Sequence, residues 1–272
     1  MRLESWVATP SLSPMSSTLV FACIAVTVLI TSFISGILGM AGGMILMGVL
    51  LALLPLPAAM MLHGITQMAS NGWRAWLWRE QVNWRVFRGY ALGALLAVTA
   101  FIAVQIVVSK AVAYILLGLT PFVSFALPKR LALNVDHRGH PFFCGAICTA
   151  LQLLAGVSGP LLDVFFVQSK LDRRGVVATK AMSQTLGHLI KIVYFGGIAA
   201  MTTTSSGVVA GLSWPLMATC VVLAFTGTTL SKRMLEKMSD ANFRRWTQWT
   251  VMTMGVIYLA SGAWMIAALD RV

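Results

Sequence analysis

The sequence predicts an all-α, polytopic membrane protein of about eight transmembrane helices plus two glycine-broken re-entrant or half-helix segments, arranged as two inverted repeats. Three observations carry this. The chain is 58% apolar and 10% charged, with mean hydropathy +0.83. Soluble domains carry roughly 25% charged residues, so an ordinary water-facing surface cannot cover this chain. The apolar runs, such as 18–38 and 87–108, are continuous rather than alternating. That excludes the dyad pattern of a membrane barrel and leaves helices, which satisfy their own backbone in lipid. Finally, glycines and polar residues recur in both halves at one fixed spacing.

The elements follow from apolar runs and charged breaks. The first span covers 19–38 and a Gly-broken segment follows at 39–54. The second span covers 57–78, the third 86–108 and the fourth 111–127. A polar link at 128–140 leads to a fifth span at 141–155 and a second Gly-broken segment at 156–169. The sixth span covers 175–199, the seventh 208–230 and the eighth 246–269. Residues 1–18 read as an external segment rather than a signal peptide, because the apolar run behind them is longer than a signal core. Residues 19–127 form the first repeat, 128–140 a cytoplasmic linker and 141–269 the second repeat.

Basic residues set the orientation. Arg79, Arg85, Arg88, Lys129, Arg130, Arg138, Lys170, Arg173, Arg174, Lys232, Arg233, Lys237, Arg244 and Arg245 fall in one group of loops. Arg2, Lys110 and Arg271 fall in the other. The positive-inside rule places the richer group in the cytoplasm, with both termini external. It also explains the net charge of +12 without nucleic acid. The second span then runs inward and the sixth outward. Trp73, Trp76, Trp78 and Trp84 at the end of the second span read as an interfacial belt.

Sliding the chain by 117 residues brings Gly39, Gly42 and Gly43 onto Gly156, Gly159 and Pro160. The same offset brings His63 onto Lys180, Thr66-Gln67 onto Ser183-Gln184, Asn71 onto His188 and Arg74 onto Lys191. These residues recur at three- and four-residue steps and so line one helix face in each half. A polar stripe toward lipid is costly, so each stripe faces protein or water. Gln67, Thr66, Asn71, Gln184, Ser183 and His188 are the candidate substrate contacts, with interhelical hydrogen bonding as the competing reading. Gly42, Gly43, Gly159 and Ser158 are candidates too, because an unwound segment brings backbone N–H groups to a solute and a half-helix N-terminus favours an anion. Arg74, Lys180, Lys191 and His63 form a candidate electrostatic pathway. Asp163 is the lone acid inside the predicted spans and broken segments, and with His188 it is a candidate for proton coupling. The excess of cations makes the ligand an anion.

Several stretches resemble the sulfite exporter family of the TauE/SafE type. They are Gly36-Ile-Leu-Gly-Met-Ala-Gly-Gly43, Pro55-Leu-Pro57 and His63-Gly-Ile-Thr-Gln-Met-Ala-Ser-Asn-Gly-Trp-Arg74. The second copy departs, with Val157 and Pro160 interrupting its glycine run. The resemblance implies a bacterial inner-membrane, multi-pass permease for sulfite, a sulfonate or a related anion. Separately from the resemblance, no nucleophile–base pair stands out along the chain, so neither enzymatic activity nor a cofactor or metal is expected. The resemblance leaves homo-oligomerisation, the transported anion, the coupling ion and the direction open. Two other readings stand beside it: a membrane redox or assembly factor using Cys144 and Cys148, and a passive anion channel. His63, His137, His140 and His188 lack metal-ligand spacing.

Overall fold

The computed structural model describes residues 14–126, 133–201, 212–237 and 240–269. Residues 1–13, Lys129, Arg130 and the start of the seventh predicted span lie outside these. The described residues form ten helices: α1 (Pro14–Leu38), α2 (Met40–Leu53), α3 (Leu56–Leu77), α4 (Trp84–Val104), α5 (Lys110–Ala126), α6 (His140–Ala155), α7 (Gly159–Phe166), α8 (Arg173–Met201), α9 (Trp214–Lys237) and α10 (Asp240–Leu269). Four contain stretches long and apolar enough to cross a bilayer: Thr18–Leu38, Trp84–Val104, Trp214–Ser231 and Arg245–Ala268. α3 and α8 have the length but carry the polar stripes.

Local chemistry sets the ends. Asn83 caps α4, its side chain accepting from the Val86 N–H at 3.1 Å. Pro57 occupies the first turn of α3, where a missing N–H costs nothing. Gln105 closes α4 in the left-handed region, at φ 52°.

The pairing of helices follows a two-fold pattern. α3 packs against α8, and α5 against α10, as self-related pairs. α1 packs on α9 while α6 packs on α4, and α2 touches α10 while α7 touches α5. Exchanging α1–α5 for α6–α10 leaves this pattern unchanged, as two related five-helix halves require. α3 and α8 run antiparallel: Gly64 lies against His188 and Ile192, whereas Gly72 lies against Thr185.

The first broken segment differs from expectation. Its interruption is confined to Gly39, at φ 64°, a conformation that favours glycine. Gly42 and Gly43 are already inside α2, a continuous 14-residue helix. α1 and α2 therefore form a hairpin with a one-residue hinge. Tyr258 and Tyr114 fix α2 by donating to the carbonyls of Met44 and Gly48, at 2.6 and 3.1 Å. In the second hairpin the interruption spans Gly156 (φ 82°) to Ser158, and α7 follows with eight residues.

Basic residues gather at one end. There Arg85 donates to the Asp136 carbonyl at 3.1 Å, and Lys170 N–H to the Asp136 carboxylate at 2.7 Å. Trp76 and Trp84 are exposed at this end, with Arg79 stacked over Trp76 at 4.7 Å. Trp73 instead packs edge-on against Phe225. Cys144 and Cys148 are free thiols buried in a cluster with Val86, Tyr90, Leu162 and Phe165.

Small residues let the helices approach closely. A Cβ on Gly118 would sit 2.8 Å from the Gly255 carbonyl and the Leu259 nitrogen, both backbone. Gly118→Val should therefore split α5 from α10 and cost about 1–3 kcal/mol through overpacking. Thermal unfolding of the purified variant in detergent should show a lower midpoint; an unchanged midpoint would contradict this packing.

Candidate functional site: a chamber between two helix N-termini

The two hinges face one another. Gly39 immediately precedes α2 and Ser158 immediately precedes α7, and both residues border a small chamber of about 20 Å³. Its walls come from both halves: Met40, Gly43, His63, Gln67 and Asn71 from the first, and Gln152, Val157, Gln184 and His188 from the second. Neither hinge residue gives its helix a side-chain cap. Ser158 is a good capping residue, but its hydroxyl donates to Gln152 Oε1 at 2.9 Å. The first-turn N–H groups of α2, and those of α7 other than Pro160, which has none, thus receive no side-chain cap from the hinge residues, and each helix end carries about half a positive charge.

Side chains extend this donor set. Gln67 is 4% exposed, and its Nε2 has no hydrogen-bond partner. A buried, unpaired amide donor costs about 1–3 kcal/mol, so this group is well placed to take an acceptor. His63 Nε2 donates to the Gly43 carbonyl at 2.9 Å. Gln152 Nε2 donates to His188 Nδ1 at 3.0 Å. The His63 and His188 rings are 5.5 Å apart.

Toward the basic end lies a vestibule of about 450 Å³. Arg74, Lys180 and Asp163 line it, with Ser35, Phe166 and Val176 among the other walls. Lys180 forms an ion pair with Asp163 and also faces Arg74. Gly39, Met40 and Gln184 border both spaces, so they form the partition between them. On the far side of the chamber Lys191 donates to His63 Nδ1 at 2.7 Å and to the Gly156 carbonyl at 3.0 Å. Beyond it lies packed apolar core, including Met44, Met47 and Met60.

The structure thus brings Gln67, Asn71, Gln184, His188, Gly43 and Ser158 to the chamber, together with His63. Four other predicted residues are not among its walls, although Gly42 and Gly159 belong to the first turns of α2 and α7. Thr66 turns its hydroxyl back to the Leu62 carbonyl at 2.8 Å. Ser183 is buried with an unpaired hydroxyl and does not border the chamber. Gly42 packs against α1, where a Cβ would meet Ser35 N at 2.6 Å. A Cβ on Gly159 would meet Met40 Cβ at the same distance. Arg74, Lys180 and Asp163 sit in the vestibule, and Lys191 stands behind His63. Gln152 and Met40 were not singled out from sequence. For Gln152 a signal existed: it is the one amide in the apolar run 141–155.

Fold and site together define a polytopic, all-helical membrane protein with a polar chamber enclosed between two interrupted hairpins, the build of a solute transporter. The chain belongs to the sulfite exporter TauE/SafE family, whose model matches residues 23–258. Membership carries a membrane-transport role. Comparison with curated proteins and with solved structures returned no match.

The two adjacent glycines of α2 separate site from scaffold. A Cβ on Gly43 would lie 3.3 Å from Gln67 Oε1, a movable side-chain atom, whereas one on Gly42 would strike backbone. Gly43→Ala should fold normally and weaken anion-induced thermal stabilisation. Gly42→Ala should lower the melting temperature in the absence of any anion. Equal behaviour of the two variants would contradict this assignment.

Proposed function

We propose that this protein moves a small (organo)sulfur or related anion, such as sulfite or a sulfonate, across the bacterial inner membrane by alternating access. The reading rests on one observation above others: Gln67 holds a buried, unpaired amide donor in a chamber where two uncapped helix N-termini meet. The anion oxygens would be held by Gln67, Gln184 and Asn71 and by first-turn N–H groups of α2 and α7. Arg74 and Lys180 would draw the anion into the vestibule.

The basic end is read as cytoplasmic, so the vestibule faces the cytoplasm and both termini lie outside. In this state the path is open from the basic end to Met40 and Gln184 and sealed beyond Lys191. A chamber of about 20 Å³ holds little more than one water-sized sphere. Met40 and Gln184 must therefore move to admit an anion. A site reached from one side and closed on the other supports alternating access over a passive channel. Burial of Cys144 and Cys148 under Tyr90 and Phe165 supports a packing role over thiol exchange.

Hydrogen bonds to a charged group contribute about 1.5–3 kcal/mol each. Gln67→Ala and Gln184→Ala should each reduce sulfite or sulfonate uptake into proteoliposomes roughly tenfold or more, with protein content unchanged. Wild-type flux in the double variant would remove this chamber from the mechanism. Replacing all four cysteines with Ser should leave flux intact, whereas its loss would favour the redox reading.

A further inference from the structure

The 117-residue offset that relates the halves also relates two residue pairs. It carries His63 to Lys180 and Arg74 to Lys191. The hydrogen-bonded pair His63–Lys191 and the pair Arg74 and Lys180, which line the vestibule together, are therefore counterparts, one on each side of the chamber. They differ in one respect. Lys180 has a carboxylate, Asp163, whereas Lys191 is 0% exposed and, among the described residues, has no acid beside it.

The hydrogen bonds around Lys191 define its neighbours. The Gly43 carbonyl can only accept, so His63 carries its proton on Nε2 and presents a bare Nδ1 to Lys191. His188 likewise presents a bare Nδ1, which takes the amide hydrogen of Gln152. Both imidazoles are thus neutral as arranged. Lys191 Nζ has two acceptors, His63 Nδ1 and the Gly156 carbonyl. A neutral amine has two N–H groups and uses both; an ammonium has a third.

Other titratable groups are committed elsewhere. α7 brings Asp163, engaged by Lys180. α3 brings Arg74, which lines the vestibule. α8 itself brings Tyr194, whose hydroxyl donates to the Ile106 carbonyl at 2.7 Å. Arg79 and Glu80 in the short 3₁₀ turn after α3 sit at the basic end. Among the described residues, α2, α4, α6 and α9 bring no acid or base to the chamber.

We propose that Lys191 is a proton site filled together with the anion, so that the chamber takes up one proton for each monovalent anion. The inference rests on the anion-chamber reading. A proton from water adds to the Nζ lone pair, and no bond forms between the amine and the anion. The resulting ammonium and the anion compensate one another in a setting that screens charge poorly. When the anion leaves, Nζ returns the proton to water. Asp163 performs this compensation permanently for Lys180; at Lys191 the substrate does so transiently.

Calorimetric titration of the purified protein with sodium methanesulfonate, in two buffers of different ionisation enthalpy, counts the protons. Methanesulfonate is a strong-acid anion, so it contributes no proton of its own near neutral pH. The wild type should take up about one proton per anion. Lys191→Arg keeps the charge but cannot release it, so it should bind the anion with no proton uptake. Lys191→Met should bind more weakly, again with no uptake. Asp163→Asn should retain uptake. Wild-type binding without proton uptake would overturn this inference alone. Uptake that persists in both Lys191 variants, or that vanishes in Asp163→Asn, would do the same. No binding of methanesulfonate would remove the sulfonate reading of the chamber and this inference with it.

Discussion

Lipid offers no hydrogen bonds, so a helix interrupted inside a bilayer must have its freed backbone groups satisfied by protein, water or a ligand. Among the described residues there are two such interruptions, at Gly39 and at Gly156–Ser158, and they lie face to face. Most of the surrounding structure follows from that arrangement. α3 and α8 carry their polar stripes inward because the hinges create a polar space to line. Tyr114 and Tyr258 hold α2 through its carbonyls, which keeps its N-terminus aimed at the centre. The Ser158 hydroxyl is diverted to Gln152, which leaves α7 uncapped.

Charge then selects what can enter. A helix N-terminus in a partly buried site stabilises an anion by up to about 2 kcal/mol. Stripping an ion of water costs several kcal/mol. Two helix ends and a few amides offset part of that cost, and formal positive charge must offset the rest. In the proposed function Arg74 and Lys180 would supply it in the vestibule, but Asp163 already pairs with Lys180. Lys191 is the basic residue immediately behind the chamber wall, and it lacks such a partner among the described residues. The two halves are thus alike in architecture and unlike in accessibility: one lysine meets the vestibule while its neighbour across the chamber is sealed.

Much of this was legible in the sequence. The membrane fold followed from continuous apolar runs. The paired hairpins followed from Gly39 and Gly156 and the matching Gln67 and Gln184, because few polar residues occur and they coincide in type. Finer distinctions depended on helix phase. Gly42 and Gly43 look equivalent as a pair, yet adjacent helical positions point about 100° apart. One therefore meets α1 and the other the chamber. Thr66 and Gln67 separate in the same way, with the threonine hydroxyl also short enough to bond its own helix backbone. Gln152 escaped notice because it sits outside the repeated polar stripe, at the end of a run that reads as lipid-facing. Met40 is an ordinary apolar residue by composition. Its place in the partition between chamber and vestibule comes from the hinge beside it.

The proposed transport depends on an anion seated where the two hairpin turns meet. The most direct measurement is the position of selenite, the heavier analogue of sulfite, located by its anomalous scattering in crystals of the protein. A selenium peak is expected within hydrogen-bonding reach of Gln67 Nε2, between the N-termini of α2 and α7. A peak confined to the vestibule beside Arg74 and Lys180, or no peak under conditions in which selenite is transported, would contradict that proposal.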